Sequence, residues 1–253
     1  MCLIAFNWLD HPVYKMILVA NRDEYYQRPS SPMHLWEEGF YAGRDLKGGG
    51  TWLGMHPSGR FAALTNYRDI AMEKEHPSSR GELPVNFLKG EMSPLEYLEG
   101  LQQRKNEYNG FSLLISDGAK MYYLSNYQED IQEVGQGTHG LSNALLDTPW
   151  PKVESAKSDL SAYLNERQEP EIGSLVRLLH SKMTAPVEML PATGLSEELE
   201  KSVSAQFIAV EDYYGTVNTT AVLWKHTGEV QIEEVRFIPD KGTTSVQFLV
   251  KSS

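Results

Sequence analysis

Cysteine is almost missing from this chain: 253 residues hold one, at position 2. A single thiol excludes an intrachain disulfide framework and any multi-cysteine zinc or iron–sulfur site. Basic charge is also short, with 23 Lys and Arg against 34 Asp and Glu, a formal net charge of −11. The field of such a chain repels nucleic-acid phosphates and anionic membrane surfaces, so neither is expected as a general partner. No run approaches the ~20 apolar residues that span a bilayer. The start lacks a basic segment with a following apolar run and cleavage site, and it is not the Met–Gly signal for myristoylation. A cytoplasmic location is therefore expected. The seven histidines are scattered without metal-ligand spacing, so no metal or cofactor is predicted. Gly48-Gly49-Gly50 lacks the trailing Lys-Ser/Thr of a P-loop, and no G-x-S-x-G elbow occurs.

What is present is a 41% apolar fraction, enough to bury a sizeable core, with no repeat or low-complexity linker. One continuous domain over 1–253 is expected. Strand-like runs dominate both ends. CLIAFNW (2–8) and KMILVAN (15–21) flank a turn at Asp10-His11-Pro12. TWLGMH (51–56) and RFAALTNY (60–67) flank Ser58-Gly59, and FSLLIS (111–116) and KMYYLSN (120–126) are joined by Asp117-Gly118. Shorter strands are predicted at 131–135 and 137–143. Helices are predicted from Ser93, which heads a capping box with Glu96, and over 150–164, 171–183 and 196–202. The tail returns to β in AQFIAVEDYY, TTAVLWKH, EVQIEEVRFI and TSVQFLV. Hairpins with helices in central blocks predict an α+β fold.

The first hairpin makes a geometric statement. Antiparallel partners keep a constant index sum, and a turn centred on His11-Pro12 places Cys2 opposite about Asn21. The polar run Asn21-Arg22-Asp23-Glu24 thus lands beside the thiol. Successive strand residues face opposite ways, so Arg22 and Asp23 need a bulge or a turn if both are to reach Cys2. A small residue at position 2 allows removal of Met1, which would leave Cys2 with a free α-amine. That amine titrates at about 7.7–8.0 and can accept a proton from a thiol of pKa about 8.5. Arginine stabilises a thiolate and a carboxylate positions an amine, so Arg22 and Asp23 have suitable chemistry. The residues alone leave two readings open: a nucleophile, or a chance cysteine beside a solvated turn.

VANRDEYYQRPS, GGGTWLG, ALTNYRD, YNGFSLLISD and GLSNALLDTPWPKV follow the MC-x-I start in order. Together they resemble the NRDE family, which includes the transport and Golgi organisation protein 2 group. The resemblance implies a four-layered αββα N-terminal-nucleophile-like sandwich of two mainly antiparallel sheets. It is also similar to cysteine-dependent acylases. It assigns catalytic roles to Cys2, Arg22 and Asp23, and oxyanion stabilisation to Asn66 and Asn143. Asn21, Glu24, Trp52 and His139 are expected to line the substrate site. One departure stands out: the family commonly reads YGTR where this chain has Tyr214-Gly215-Thr216-Val217. Arg236, on a neighbouring predicted strand, is the available substitute. The expected activity is hydrolysis of a small amide or acyl substrate. The alternative is a non-catalytic binding or trafficking protein for a hydrophobic metabolite such as a lipid, acyl compound or haem.

Overall fold

The computed structural model describes residues 2–75 and 77–250. In chain order the strands are β1 (Cys2–Trp8), β2 (Tyr14–Tyr25), β3 (Ser30–Leu35), β4 (Tyr41–Asp45), β5 (Leu53–Met55) and β6 (Phe61–Asn66). Two helices follow, α1 (Glu82–Lys89) and α2 (Pro94–Gln102), then β7 (Phe111–Ser116), β8 (Met121–Ser125), β9 (Gln132–Glu133) and β10 (Gly137–Leu141). Next come α3 (Pro151–Glu166), α4 (Ile172–Leu178) and α5 (Glu197–Ser202). The chain closes with β11 (Ala209–Val210), β12 (Tyr214–Lys225), β13 (Glu229–Arg236) and β14 (Gly242–Leu249).

These elements form two compact units. One comprises 2–27, 136–142 and 146–248, the other 28–75, 77–135, 143–145 and 249–250. The first holds a sheet in the order β10-β1-β2-β12-β13-β14, with β11 added against β12. One face of it is covered by α3 and α4. Leu3, Ala5, Ile17, Val19, Ala221 and Leu223, alternate residues of their strands, pack against Val153, Leu160, Leu175 and Leu179. Each fully buried Leu, Ile or Val side chain there contributes about 1.5–3 kcal/mol of transfer free energy.

The second unit is a meander, β3 through β9 in sequence order. Its helices α1 and α2 bring Phe87, Leu98 and Leu101 onto Leu113, Ile115 and Leu124. The expected capping box is present, with Ser93 and Glu96 bonding each other's backbone N–H and Pro94 at the first helical turn. Both sheets are antiparallel wherever their pairing is described, so the expected α+β class with two mainly antiparallel sheets is met.

Three local expectations differ. β3, β4 and α1 were not foreseen: β3 is a polar edge strand and β4 beside it is short, both with mixed exposure instead of strict alternation. The helix expected over 171–183 stops at Leu178, where the Leu179 carbonyl is taken by the Asn21 side chain. In the tail, the strand expected around AQFIAVEDYY is only the two-residue β11, and β12 instead runs unbroken from Tyr214.

Candidate active site

The polar run at 21–24 lies inside β2, because β1 pairs along one edge of it and β12 along the other. The hairpin register is one residue from expectation: Cys2 stands opposite Arg22, and Leu3 opposite Asn21. The cause is Leu9, which adopts a left-handed backbone (φ 53) and donates its N–H to the Lys15 carbonyl. That shifts the turn centre onto Pro12.

The shift exchanges the faces of every residue in the run. Directly opposed residues share a face, so Arg22 stands on the same side as Cys2, away from α3 and α4. Asn21 falls on the helix-covered side with Leu3. Its amide donates to the carbonyls of Leu179 and Gln206, both at 2.9 Å, and its oxygen accepts from the Thr219 hydroxyl at 2.6 Å. Asn21 therefore ties β2 to β12 and to the segments after α4 and α5. Glu24 returns to the face of Arg22 and pairs with it, Nη2 to Oε2 at 3.6 Å.

Asp23 is fully enclosed. Its Oδ1 accepts from the Thr216 hydroxyl at 2.7 Å, and that hydroxyl accepts from the Ile208 N–H at 2.9 Å. Burial pushes the Asp23 carboxyl up, opposed first by the positive field of Lys152 and then by the Thr216 bond and Arg22. Lys152 is itself buried in α3 and donates to the Val203 carbonyl at 3.1 Å. Cys2 is buried, with 7% of the residue exposed. Burial raises its pKa and the Asp23 charge adds to this, while Arg22 and the main-chain N–H of Asp23, bonded to the sulfur, work the other way. The thiol is thus protonated at neutral pH, and ionising it needs a base close by.

Arg22 shares the face of Cys2 and Asp23 meets the sulfur through its main-chain N–H, with no bulge in β2; the bulge lies in the neighbouring strand. On β12, Thr216 pairs with Asp23 and Asn218 with Arg22, which leaves Val217 as the extra residue. Thr216 and Thr219 both bond residues of the helix-covered face. Val217 and Asn218 between them consequently both lie on the face of Cys2. Re-aiming a side chain in this way is a recurrent use of bulges.

In the other unit, the two asparagines assigned to the oxyanion lie together. Asn143, fully buried, donates its side-chain amide to the Asn66 carbonyl at 3.0 Å, and its own carbonyl accepts from the Arg68 N–H at 2.8 Å. Trp52 is half-buried, and its carbonyl accepts from the Leu64 N–H at 2.7 Å, next to the strand that ends in Asn66. Ser142, the residue before Asn143 in the chain, donates its hydroxyl to the Cys2 carbonyl at 2.8 Å.

His139 does not join Cys2. It stands opposite Phe6, with ring centroids 5.3 Å apart, and four residues of β1 separate it from Cys2 by about 13 Å. Its Nδ1 bonds Asp147 at 2.7 Å, and Asp147 also meets Lys157 Nζ at 3.1 Å and the Gly140 N–H at 2.9 Å. Burial opposes the Asp147 charge, but these three donors outweigh it and hold its carboxyl below the usual range. Among the described residues no group of three or more His, Cys, Asp or Glu is placed to hold a metal ion.

Sequence reasoning gave no role to Lys152, Thr216 and Asn218. A signal for Lys152 was available: it shares the spacing i, i+4, i+8 with Ala156 and Leu160, the buried stripe of α3. A lysine on an apolar stripe needs a polar reason to be there. Nothing local to the sequence marks the bulge that positions Asn218.

The profile described as "Transport and Golgi organisation 2" matches residues 1–239. This chain belongs to that family. The Transport and Golgi organization protein 2 homolog of Bos taurus is 33% identical over 92% of each chain. The Homo sapiens homolog is also 33% identical, over 95% of this chain and 94% of its own. The Drosophila melanogaster protein of the same name is 28% identical over 72% of this chain and 73% of its own. Among solved structures, the Caenorhabditis elegans N-acylethanolamine-hydrolyzing acid amidase ortholog superposes with TM-score 0.50, covering 88% of this chain and 92% of that one. At 11% identity it shares the fold, that of an N-terminal-nucleophile hydrolase, and the likeness extends no further. No described helix of this Transport and Golgi organisation 2 family member is long and apolar enough to cross a membrane.

Proposed function

We propose that this protein is a cytoplasmic N-terminal-nucleophile cysteine hydrolase that cleaves a small amide or related acyl compound. The observation that carries the reading is the Cys2–Arg22 pair, with the Asp23 N–H on the thiol and the Asp23 carboxylate fixed by Thr216 beside a buried lysine. Met1 lies outside the described residues; its removal is part of the proposal and supplies the base that a buried, protonated thiol needs. The α-amine of Cys2 takes the thiol proton, and Sγ attacks the carbonyl to form a tetrahedral adduct. On collapse the carbon–nitrogen bond breaks and the leaving amine takes the proton from the α-ammonium. Water, deprotonated by the same amine, then hydrolyses the acyl-cysteine. Asn66 and Asn143 are assigned the oxyanion by resemblance to cysteine acylases. The structural neighbour is itself named as an amidase, which supports amides as the first substrates to try. The test is a panel of N-acyl amides and activated esters with the untagged wild type and C2A. Cys2-dependent release of amine or alcohol is expected. Absence of turnover on every member would set the reading aside.

A second reading, a binding or trafficking protein for a lipid, acyl compound or haem, is favoured by the relatives, which are named for transport and Golgi organisation. Extraction of the purified protein and mass spectrometry of what it carries tests this reading directly.

A further inference from the structure

The face of the first unit's sheet that carries Cys2 also carries a cross-strand row. Cys2 pairs with Arg22, Arg22 with Asn218 and Asn218 with Arg236, so four side chains of four adjacent strands stand on one side in line. The two members farthest from the thiol have unmet polar groups. Asn218 is only 7% exposed, and its Oδ1 has no hydrogen-bond partner among the described residues. Arg236 is half-buried, its Nε is enclosed without a partner, and among the described residues it forms no ion pair. An enclosed guanidinium N–H without an acceptor is costly unless something else meets it.

Room is kept for that group. At Gly242, the first residue of β14, a Cβ would come within 2.5 Å of Arg236 Nη2. The glycine leaves the guanidinium its place beside β14. Two carboxylates share the face. Glu24 is held against Arg22, and Glu234 precedes Arg236 by two positions on β13 without pairing with it. At the bulge, Val217 adds an apolar surface beside Asn218 where an arginine was expected.

We propose that Arg236 and Asn218 form a subsite for a carboxylate carried by the compound that Cys2 attacks. The guanidinium supplies the charge and a forked pair of donors for the carboxylate, and the unpartnered Asn218 Oδ1 accepts from an N–H of the same compound. Two to three interstrand steps separate Cys2 from these residues, about 10–14 Å between Cα atoms. The carboxylate therefore stands several bonds beyond the reacting carbonyl, as in the N-acyl derivative of an ω-amino acid or a long-chain dicarboxylic acid monoamide. The substrate class rests on the hydrolase reading of Cys2; the anion subsite itself can be tested without turnover.

The test compares two alkylating reagents, N-iodoacetyl-4-aminobutyrate and its terminal carboxamide, which differ only in the distal charge. Cys2 is the chain's one cysteine, so the rate of mass gain reports that thiol. With the ratio of the two rates normalised to glutathione, wild type should prefer the carboxylate by roughly tenfold, the scale of one charge-assisted hydrogen bond. R236Q should bring the ratio to that of glutathione, and R236K should retain most of the preference. N218D, an isosteric change that places a carboxylate beside Arg236, should also abolish it, which keeps the test decisive if R236Q does not fold. A normalised wild-type ratio near one, a preference that survives R236Q or N218D, or a thiol unreactive to both reagents overturns the proposal. A retained preference in a protein that hydrolyses nothing would instead leave the subsite standing and remove the hydrolase.

Discussion

Cys2 and Arg22 face each other across the first hairpin as a directly opposed pair, and Glu24 holds the same arginine from two residues along β2. The guanidinium is thus shared between a thiol and a carboxylate. Removing its charge with R22Q should slow alkylation of Cys2 at pH 7 by about three- to tenfold, because a nearby cation favours the thiolate. E24Q should act in the opposite sense by freeing Arg22 for the thiol. Iodoacetamide labelling followed by intact mass measures both; equal rates in all three proteins would show that Arg22 does not act on the sulfur.

Thr216 passes one hydroxyl between two buried groups, donating to Asp23 and accepting from the Ile208 N–H. T216V leaves both without that bond and should cost about 1–3 kcal/mol in urea unfolding. Asn21→Ala removes three bonds that tie β2 to its neighbours, and a loss of about 2–3 kcal/mol is expected. If N21A instead keeps wild-type stability and loses only ligand affinity, Asn21 is a binding residue after all.

Gly215 in the Tyr-Tyr-Gly-Thr run sits where backbones crowd: a Cβ there would lie 2.4 Å from the Ile208 carbonyl and 2.5 Å from the Tyr26 hydroxyl. The small β11–β12 pairing at Ala209 depends on that approach. G215A should disrupt it, lowering the thermal midpoint by several degrees for a loss of about 1–3 kcal/mol. Differential scanning calorimetry decides this, and an unchanged midpoint would mean the strand shifts without cost.

Asp147 ties His139, Lys157 and the Gly140 N–H together, and its pKa is depressed in the folded state. A depressed carboxyl contributes stability above its unfolded pKa of about 3.9 and loses it as pH falls through the folded value. D147N should therefore be less stable than wild type at pH 7, with the gap closing below about pH 4. Urea midpoints across pH 3–7 test this; a gap that stays constant with pH would assign the effect to shape and not to charge.

On the hydrolase reading, N143A should lower kcat on a cleaved amide by about 10²–10³ with KM little changed. A change confined to KM would make Asn143 a binding residue.

Much of the fold could be read from local signals. The hairpins at Ser58-Gly59 and Asp117-Gly118 and the Ser93 cap rest on turn and capping chemistry, which acts over a few residues. β3, β4 and α1 escaped because neither short polar strands without strict alternation nor a helix capped by Gly81 without a side-chain bond carries a strong local pattern. The cluster around Cys2 was legible as a set of residue types, yet its geometry was not. A left-handed Leu9 moved the register by one, which exchanged the faces of Asn21 and Arg22. The bulge at Val217 arises from pairing with a strand almost 200 positions away, and no window of sequence encodes it. Lys152 shows a limit of a different kind: its position on the stripe was visible, but its neighbour Asp23 was not.

The most direct test of the account is the intact mass of the untagged protein, before and after exposure to a p-nitrophenyl acyl ester. The account predicts a chain lacking Met1 that gains one acyl group on Cys2, with the adduct decaying in water and absent from C2A. A chain that retains Met1, or one whose Cys2 never carries the acyl group, would contradict it.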